Sequence, residues 1–246
     1  MVKYTINNSL KIITILLIIT LLFFVHCALG SGKLRNESRT IKLGEAESVT
    51  VEINMVAGKL NLSGGAEELL EADLIYSVKA LKPKIKYNVI DNHGSLIIKQ
   101  PDILRIPAEG SKYEWNINLN NNIPLDLYLE LDAGKYNLKP GDLNLTNIDF
   151  KLGVGEFKID MTGNWKNSVN AYIEGGVGDL TLYLPSNVGV CVNVNRSLGV
   201  INNIGLQNSG NLYINDLYKT SDIKLNIDLN AGIGKIDLIT YEEEGS

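Results

Sequence analysis

The chain has 246 residues, 45% hydrophobic and 21% charged, with 23 Gly and only 6 Pro. That is enough for one large β domain or two small ones, and the balance suits regular strands joined at tight corners. The net charge of −5 excludes a general electrostatic pull on nucleic acid or on an anionic membrane face.

Residues 1–30 read as a targeting segment. Lys3 and Lys11 precede the apolar run Ile12–Val25, and His26, Cys27, Ala28, Leu29 and Gly30 follow it. A basic start, an apolar centre and small residues before a polar stretch describe a secretory signal cut after Gly30. Two alternatives stay open: the stretch from Ile12 to Gly30 is about long enough for an uncleaved anchor, and Cys27 could carry a lipid, although Phe24-Val25-His26 is a poor lead-in. Each places the domain outside the cytoplasm. The second cysteine, Cys191, sits in an alternating VCVNVN stretch as a small structural residue. Once the leader is removed no internal disulfide remains open to it.

Residues 31–40 (SGKLRNESRT for 31–40) are polar and read as a flexible tether. The region 41–122 is expected to form an N-terminal β cap. Val49, Val51, Ile53, Met55 and Ala57 alternate with polar residues as a half-buried strand does. Ser63-Gly64-Gly65 is a break. Ala66–Glu71 (AEELLE) is the one short helix candidate, with Ser63 as a cap and Glu67 and Glu68 in its first turn. Ile85–Ile90 and Ser95–Lys99 predict a hairpin about Asp91-Asn92-His93-Gly94. Pro101–Lys112 is loop-like, Trp115, Ile117 and Leu119 alternate again, and Pro124 opens the next strand.

The region 123–246, continuous with the cap, is dominated by repeats. Six stretches share one template centred on Gly58, Gly134, Gly155, Gly178, Gly199 and Gly234, the first of them within the cap. The positions seven, five and one before each glycine and two after it are always apolar, as in Leu127, Leu129, Ala133 and Tyr136 around Gly134. Side chains on a strand alternate faces with period two. Inward residues here fall on odd offsets before the glycine and even offsets after it, so one residue must be absorbed there. A corner with positive φ does this, and glycine tolerates it. Successive glycines lie 76, 21, 23, 21 and 35 residues apart. That spacing predicts coils of a β-solenoid, each stacked on its neighbour in sequence, with an insertion at Leu206–Ser221. A β-sandwich of bent strands is the alternative. The acidic Glu242–Glu244 would keep the far end soluble.

Gly64-Gly65-Ala66 with Leu69-Leu70-Glu71-Ala72-Asp73, Lys82-Pro83, Tyr113-Glu114-Trp115-Asn116 and Pro124-Leu125-Asp126-Leu127 resembles the bacterial toast-rack family. Glu174-Gly175-Gly176-Val177-Gly178-Asp179-Leu180 and Leu184-Pro185-Ser186-Asn187-Val188-Gly189-Val190 continue the match. The repeat is also similar to the extracytoplasmic C-terminal domain of membrane regulators that respond to cell-wall-active antibiotics, and to domains classed as putative adhesins. The resemblance implies an architecture and assigns no catalytic residues. Unlike those regulators, this chain has one N-terminal apolar segment, not several.

Catalytic chemistry has little to stand on. Beyond the leader the only histidine is His93, in a turn. Gly153-Val154-Gly155 lacks the helix a phosphate loop needs. Asp126, Glu130, Asp132, Asp160 and Asp179 raise the question of a polysaccharide-cleaving carboxylate pair, but they fall on the outward, polar positions. The candidate contact surface is the basic cluster Lys79, Lys82, Lys84 and Lys86, with Tyr213 and Tyr218 in the insertion. The cluster also reads as edge protection, and the insertion as a cover for the solenoid end. The expected protein is all-β, a solenoid-like (β-helix) stack with an N-terminal strand cap and one short helix. It is not an enzyme and needs no cofactor or metal. Its function is that of an extracytoplasmic scaffold or binding module, secreted or membrane-attached, with an envelope polymer or membrane protein as partner. The alternatives are an accessory to envelope-stress signalling and, last, a polysaccharide-active enzyme.

Overall fold

Alternation of apolar and polar residues becomes sixteen strands and three 3₁₀ turns in a computed structural model that describes residues 33–101, 112–195 and 198–241. The targeting segment, most of the 101–112 loop and Glu242–Glu244 lie outside the described residues. Strands β1 (Arg35–Ile41), β2 (Ser48–Ser63), β3 (Leu70–Tyr76), β4 (Lys84–Ile90), β5 (His93–Lys99) and β6 (Tyr113–Leu119) come first. Then follow β7 (Leu125–Leu138), β8 (Leu145–Asp160), β9 (Val169–Glu174), β10 (Val177–Pro185), β11 (Gly189–Asn195) and β12 (Leu198–Ile204). The short β13 (Gln207–Ser209) and β14 (Leu212–Ile214) precede β15 (Lys224–Asn230) and β16 (Ile233–Tyr241).

Two walls face each other across one core. The first runs β4-β5-β2-β7-β8-β9-β15-β11-β14-β13, and the second β1-β3-β6-β2-β7-β8-β10-β16-β12. Strands β2, β7 and β8 belong to both walls because each bends across at its template glycine. All six template glycines have positive φ, between 134° and 158°, and form one unbroken ladder: Gly58, Gly134, Gly155, Gly178, Gly234, Gly199. The parallel, in-register pairing of these bent strands sets the sandwich alternative aside and leaves the solenoid-like stack. The corners act as the parity argument requires. In β2, Val49, Val51, Ile53 and Met55 are buried before Gly58, and Leu60 and Leu62 after it. Fully burying such a side chain contributes about 1.5–3 kcal/mol each, with chain entropy opposing. Phe150 and Trp115 are the bulkiest residues at full burial, and Tyr136 stacks on Phe157 of the next rung at 5.0 Å.

The order of the ladder departs from the expectation that each coil stacks on its neighbour in sequence. The last coil, β15 and β16, is inserted between the coil of β9 and β10 and that of β11 and β12. The β13–β14 insertion pairs antiparallel with β11 and closes that end of the first wall.

Three other expectations are corrected. The position just before each glycine is not inward: Val154, Val177, Ile233 and Leu198 are about half exposed or more, on the outside of the corner. The two residues before the glycine already belong to the bend, so the strand alternation does not extend to them. Ala66–Glu71 is not helical. Leu69 and Leu70 are both fully buried, which a helix of that length at the surface could not achieve, and Leu70 and Glu71 begin β3. The tether is an edge strand from Arg35 onward, held to β3 along seven residue pairs. Its polar composition reflects an edge with one partner and water on the other side.

The predicted hairpin forms as β4 and β5, antiparallel, with Asp91 and Asn92 at positive φ in a two-residue turn.

Candidate polymer-facing surface

In-register stacking turns each template position into a row across the sheet, with rungs about 4.8 Å apart. On the outer face of the first wall, the position six before the glycine gives Glu52, Tyr128, Asp149, Tyr172, Asp228 and Asn193 in spatial order. The position four before it gives Asn54, Glu130, Lys151, Glu174, Asn230 and Asn195. Neighbouring rungs hydrogen-bond side chain to side chain. Asn193 Nδ2 donates to Asp228 Oδ1 at 3.0 Å, Asn226 Nδ2 to Asn170 Oδ1 at 3.0 Å, and Asn230 Nδ2 to the Tyr172 hydroxyl at 2.8 Å. Between β2, β7 and β8 the face dips into a hollow of about 180 Å³ lined by Glu52, Tyr128, Glu130, Asp149 and Lys151. Among the described residues the buried Asp149 Oδ1 has no hydrogen-bond partner. These rows are the part of the surface that residue-by-residue reading missed. The signal was present as a Tyr, Asp, Glu or Asn in every repeat at one fixed outward offset.

The candidate lysines separate on inspection. Lys84 and Lys86 are exposed on edge strand β4, two residues apart and so on one face, and Lys84 pairs directly with Lys99 of β5. Lys79 is exposed at the start of the 3₁₀ turn Lys79–Leu81. Lys82 is engaged elsewhere. Its Nζ lies 2.9 Å from the Glu37 carboxylate, which also accepts from the Tyr76 hydroxyl and pairs with Arg39. Lys82 therefore ties the 3₁₀ turn to β1.

The two tyrosines also part. Tyr213 is 7% exposed and packs into the core, its backbone paired with Val192, so it closes the end of the stack and presents no contact surface. The insertion's alternation puts it on the inner side, a fact its aromatic character alone does not reveal. Tyr218 is half-buried in the 3₁₀ turn Asp216–Lys219, donating to Asn226 Oδ1 at 2.9 Å beneath the Lys224 ammonium. Cys191 is next to it, half-buried, and burial raises its thiol pKa while the Tyr218 hydroxyl partly offsets this.

Two of the groups considered for catalysis, His93 and Asp160, have structural partners. His93 bridges the Ser48 hydroxyl (2.8 Å from Nδ1) and the Thr50 hydroxyl (2.9 Å from Nε2). Asp160 accepts from the Thr162 amide and hydroxyl in the turn after β8. Asp132 lies at a corner, where burial and then the nearby Glu130 charge raise its pKa. Among the described residues no three His, Cys, Asp or Glu side chains are grouped to hold a metal ion, and no helix is long and apolar enough to cross a membrane.

Residues 30–183 match the family described as "N-terminal domain of toast_rack, DUF2154", and residues 133–238 match "Cell wall-active antibiotics response LiaF, C-terminal". A solved structure from Clostridium sporogenes, titled a "putative cell adhesion protein", is 36% identical, with a TM-score of 0.82, over 85% of this chain and 100% of that one. A "putative adhesin" from Bacteroides fragilis aligns over 84% of this chain and 97% of its own at 15% identity and a TM-score of 0.37. No protein of curated function matches. The glycine ladder, the two-walled stack and the match over residues 30–183 together make the chain a member of the toast-rack family.

Proposed function

We propose that this protein is a non-catalytic extracytoplasmic envelope protein, a rigid scaffold whose first wall presents a repeating polar face to an envelope polymer. The observation that carries the reading is the row Glu52, Tyr128, Asp149, Tyr172, Asp228, Asn193. A regular array of amides, carboxylates and tyrosines at a fixed rung spacing suits a ligand that itself repeats, and Tyr offers an apolar face with a polar tip. Lys84 and Lys86 give one end of that face a basic margin. The names carried by the matched families and structures, adhesion and antibiotic response, support the reading, and none of them is an enzyme's.

The test is co-sedimentation with purified cell envelopes. The double variant Tyr128→Ala/Tyr172→Ala and the double variant Lys84→Glu/Lys86→Glu should each lose binding while melting as the parent does. Undiminished binding in both would remove the proposal.

A second reading, an accessory to envelope-stress signalling, is favoured by the match of residues 133–238 to the antibiotic-response domain. It requires a membrane sensor as partner. Cross-linking in intact membranes that never recovers a sensor counts against it.

A further inference from the structure

Four strand edges end the two walls, and they are not alike. The edge β4 carries Lys84 and Lys86, and the edge β1 carries Arg35, Glu37 and Arg39. The far end of the first wall is closed by β14 and the three-residue β13. The fourth edge, β12, has the sequence LGVINNI, without a single charge. Among the described residues it pairs with β16 alone. Its outward residues Leu198, Val200 and Ile204 are 69%, 60% and 60% exposed. Natural proteins guard open edges with charge, proline, bulges or a cover, and β12 has no charge or proline.

We propose that β12 is a homodimerisation edge, pairing antiparallel with β12 of a second copy about a two-fold axis at Ile201. The self-complementarity of the strand selects this occupant. In that register Leu198 of one copy faces Ile204 of the other, and Val200 faces Asn202, so apolar side chains cover apolar ones at both ends and no like charges meet. The same operation on β4 would crowd Lys86 of both copies around Tyr87. Pairing β12 with β1 of another copy would set Arg35, Glu37 and Arg39 against an uncharged strand and strip their water. A two-fold pairing also closes on itself and stops at the dimer. One seven-residue strand pair is small beside the roughly 800 Å² per partner of a standard interface, so the dimer exchanges with monomer as concentration falls.

The register makes the test specific. Residues directly opposite in an antiparallel pair have Cα atoms about 4.5–5.5 Å apart, whereas Val200 of one copy and Val200 of the other lie on a diagonal of about 7–8 Å, too far for a disulfide. The full chain, purified in detergent with Cys27→Ser and Cys191→Ser, would be made as separate Val200→Cys and Asn202→Cys forms and mildly oxidised. The mixture should give a disulfide-linked pair that neither form gives alone. Leu198→Cys mixed with Ile204→Cys should behave likewise, which covers a folding defect in the first set. Val200→Lys should remove the dimer from light scattering while leaving the melting temperature unchanged. Cross-linking in the mixture no greater than in the single forms, in both sets, overturns the proposal, as does a Val200→Lys protein with an unchanged mass distribution. Capture of a different membrane protein by Val200→Cys in place of a second copy also overturns it.

Discussion

A Cβ atom on Gly134 would lie 1.9 Å from the carbonyl oxygen of Gly58. The same approach recurs at each later step of the ladder, with Gly155 against Gly134 at 1.9 Å and Gly178 against Gly155 at 2.0 Å. Glycine is required at the corner twice over, by the positive φ and by the backbone of the rung beside it.

Gly134→Ala should therefore destabilise the protein by roughly 3 kcal/mol, since neither the strained φ nor the backbone clash can be relieved by one side chain moving. Lys135→Ala, one residue on, removes only an exposed ion pair with Glu156 and should leave the melting temperature within about 2 °C of the parent. Calorimetry on the two variants checks this, and equal effects would undo the corner argument.

Gln100 closes the first corner from the side. It is 2% exposed, and its Oε1 accepts from the amides of Val56 (2.8 Å) and Ala57 (3.0 Å). Gln100→Leu leaves both amides without that partner and should cost roughly 2–4 kcal/mol in urea denaturation. A cost near zero would mean that water replaces the side chain.

Glu37 gives the acid limb of the stability profile. The Lys82 hydrogen bond, opposed by burial and assisted by the Tyr76 hydroxyl and Arg39, lowers its pKa from the ordinary 4.5. A carboxylate with a depressed folded pKa contributes stability above its unfolded value and loses it as pH falls through the folded one. The stability gap between the parent and Glu37→Gln should be full at neutral pH and shrink below about pH 4.5. A gap independent of pH would assign the effect to packing.

Asn215 latches the insertion that covers the end. Its Oδ1 accepts from the Val190 amide at 2.9 Å and its Nδ2 donates to the Val188 carbonyl at 2.7 Å, both buried. Asn215→Ala should cost about 2 kcal/mol. It should also speed hydrogen exchange in β14 far more than in β7, because the insertion opens by itself. Uniform acceleration would show that the cover is part of the global unit.

The corners were legible in the sequence because a change of parity at a glycine has few structural solutions. The inward rows Leu127, Leu129 and Tyr136 followed from period two alone. The outward exposure of Val154 and Leu198 did not, because the strand period ends before the glycine does. The helix assigned to Ala66–Glu71 rested on local propensity, which lost to the demand of two adjacent leucines for the core. The sequence could separate neither Lys82 from Lys84 nor Tyr213 from Tyr218. What distinguishes each pair is the partner across the fold: Glu37 at one site, Val192 at the other.

The insertion of β15 and β16 between two earlier coils has a consequence for how the chain is made. An ordinary solenoid can fold in step with synthesis, each new turn landing on the last. Here β11 and β12 emerge from the ribosome with their place in line still empty, since the rung that joins them to β9 and β10 is encoded 35 residues downstream, Lys224 pairing with Gly189 and Ile233 with Leu198. The C-terminal coil acts as a keystone. A chain stopped before Lys224 loses the bridge between two blocks, so completion is expected to be all-or-none for the last three coils.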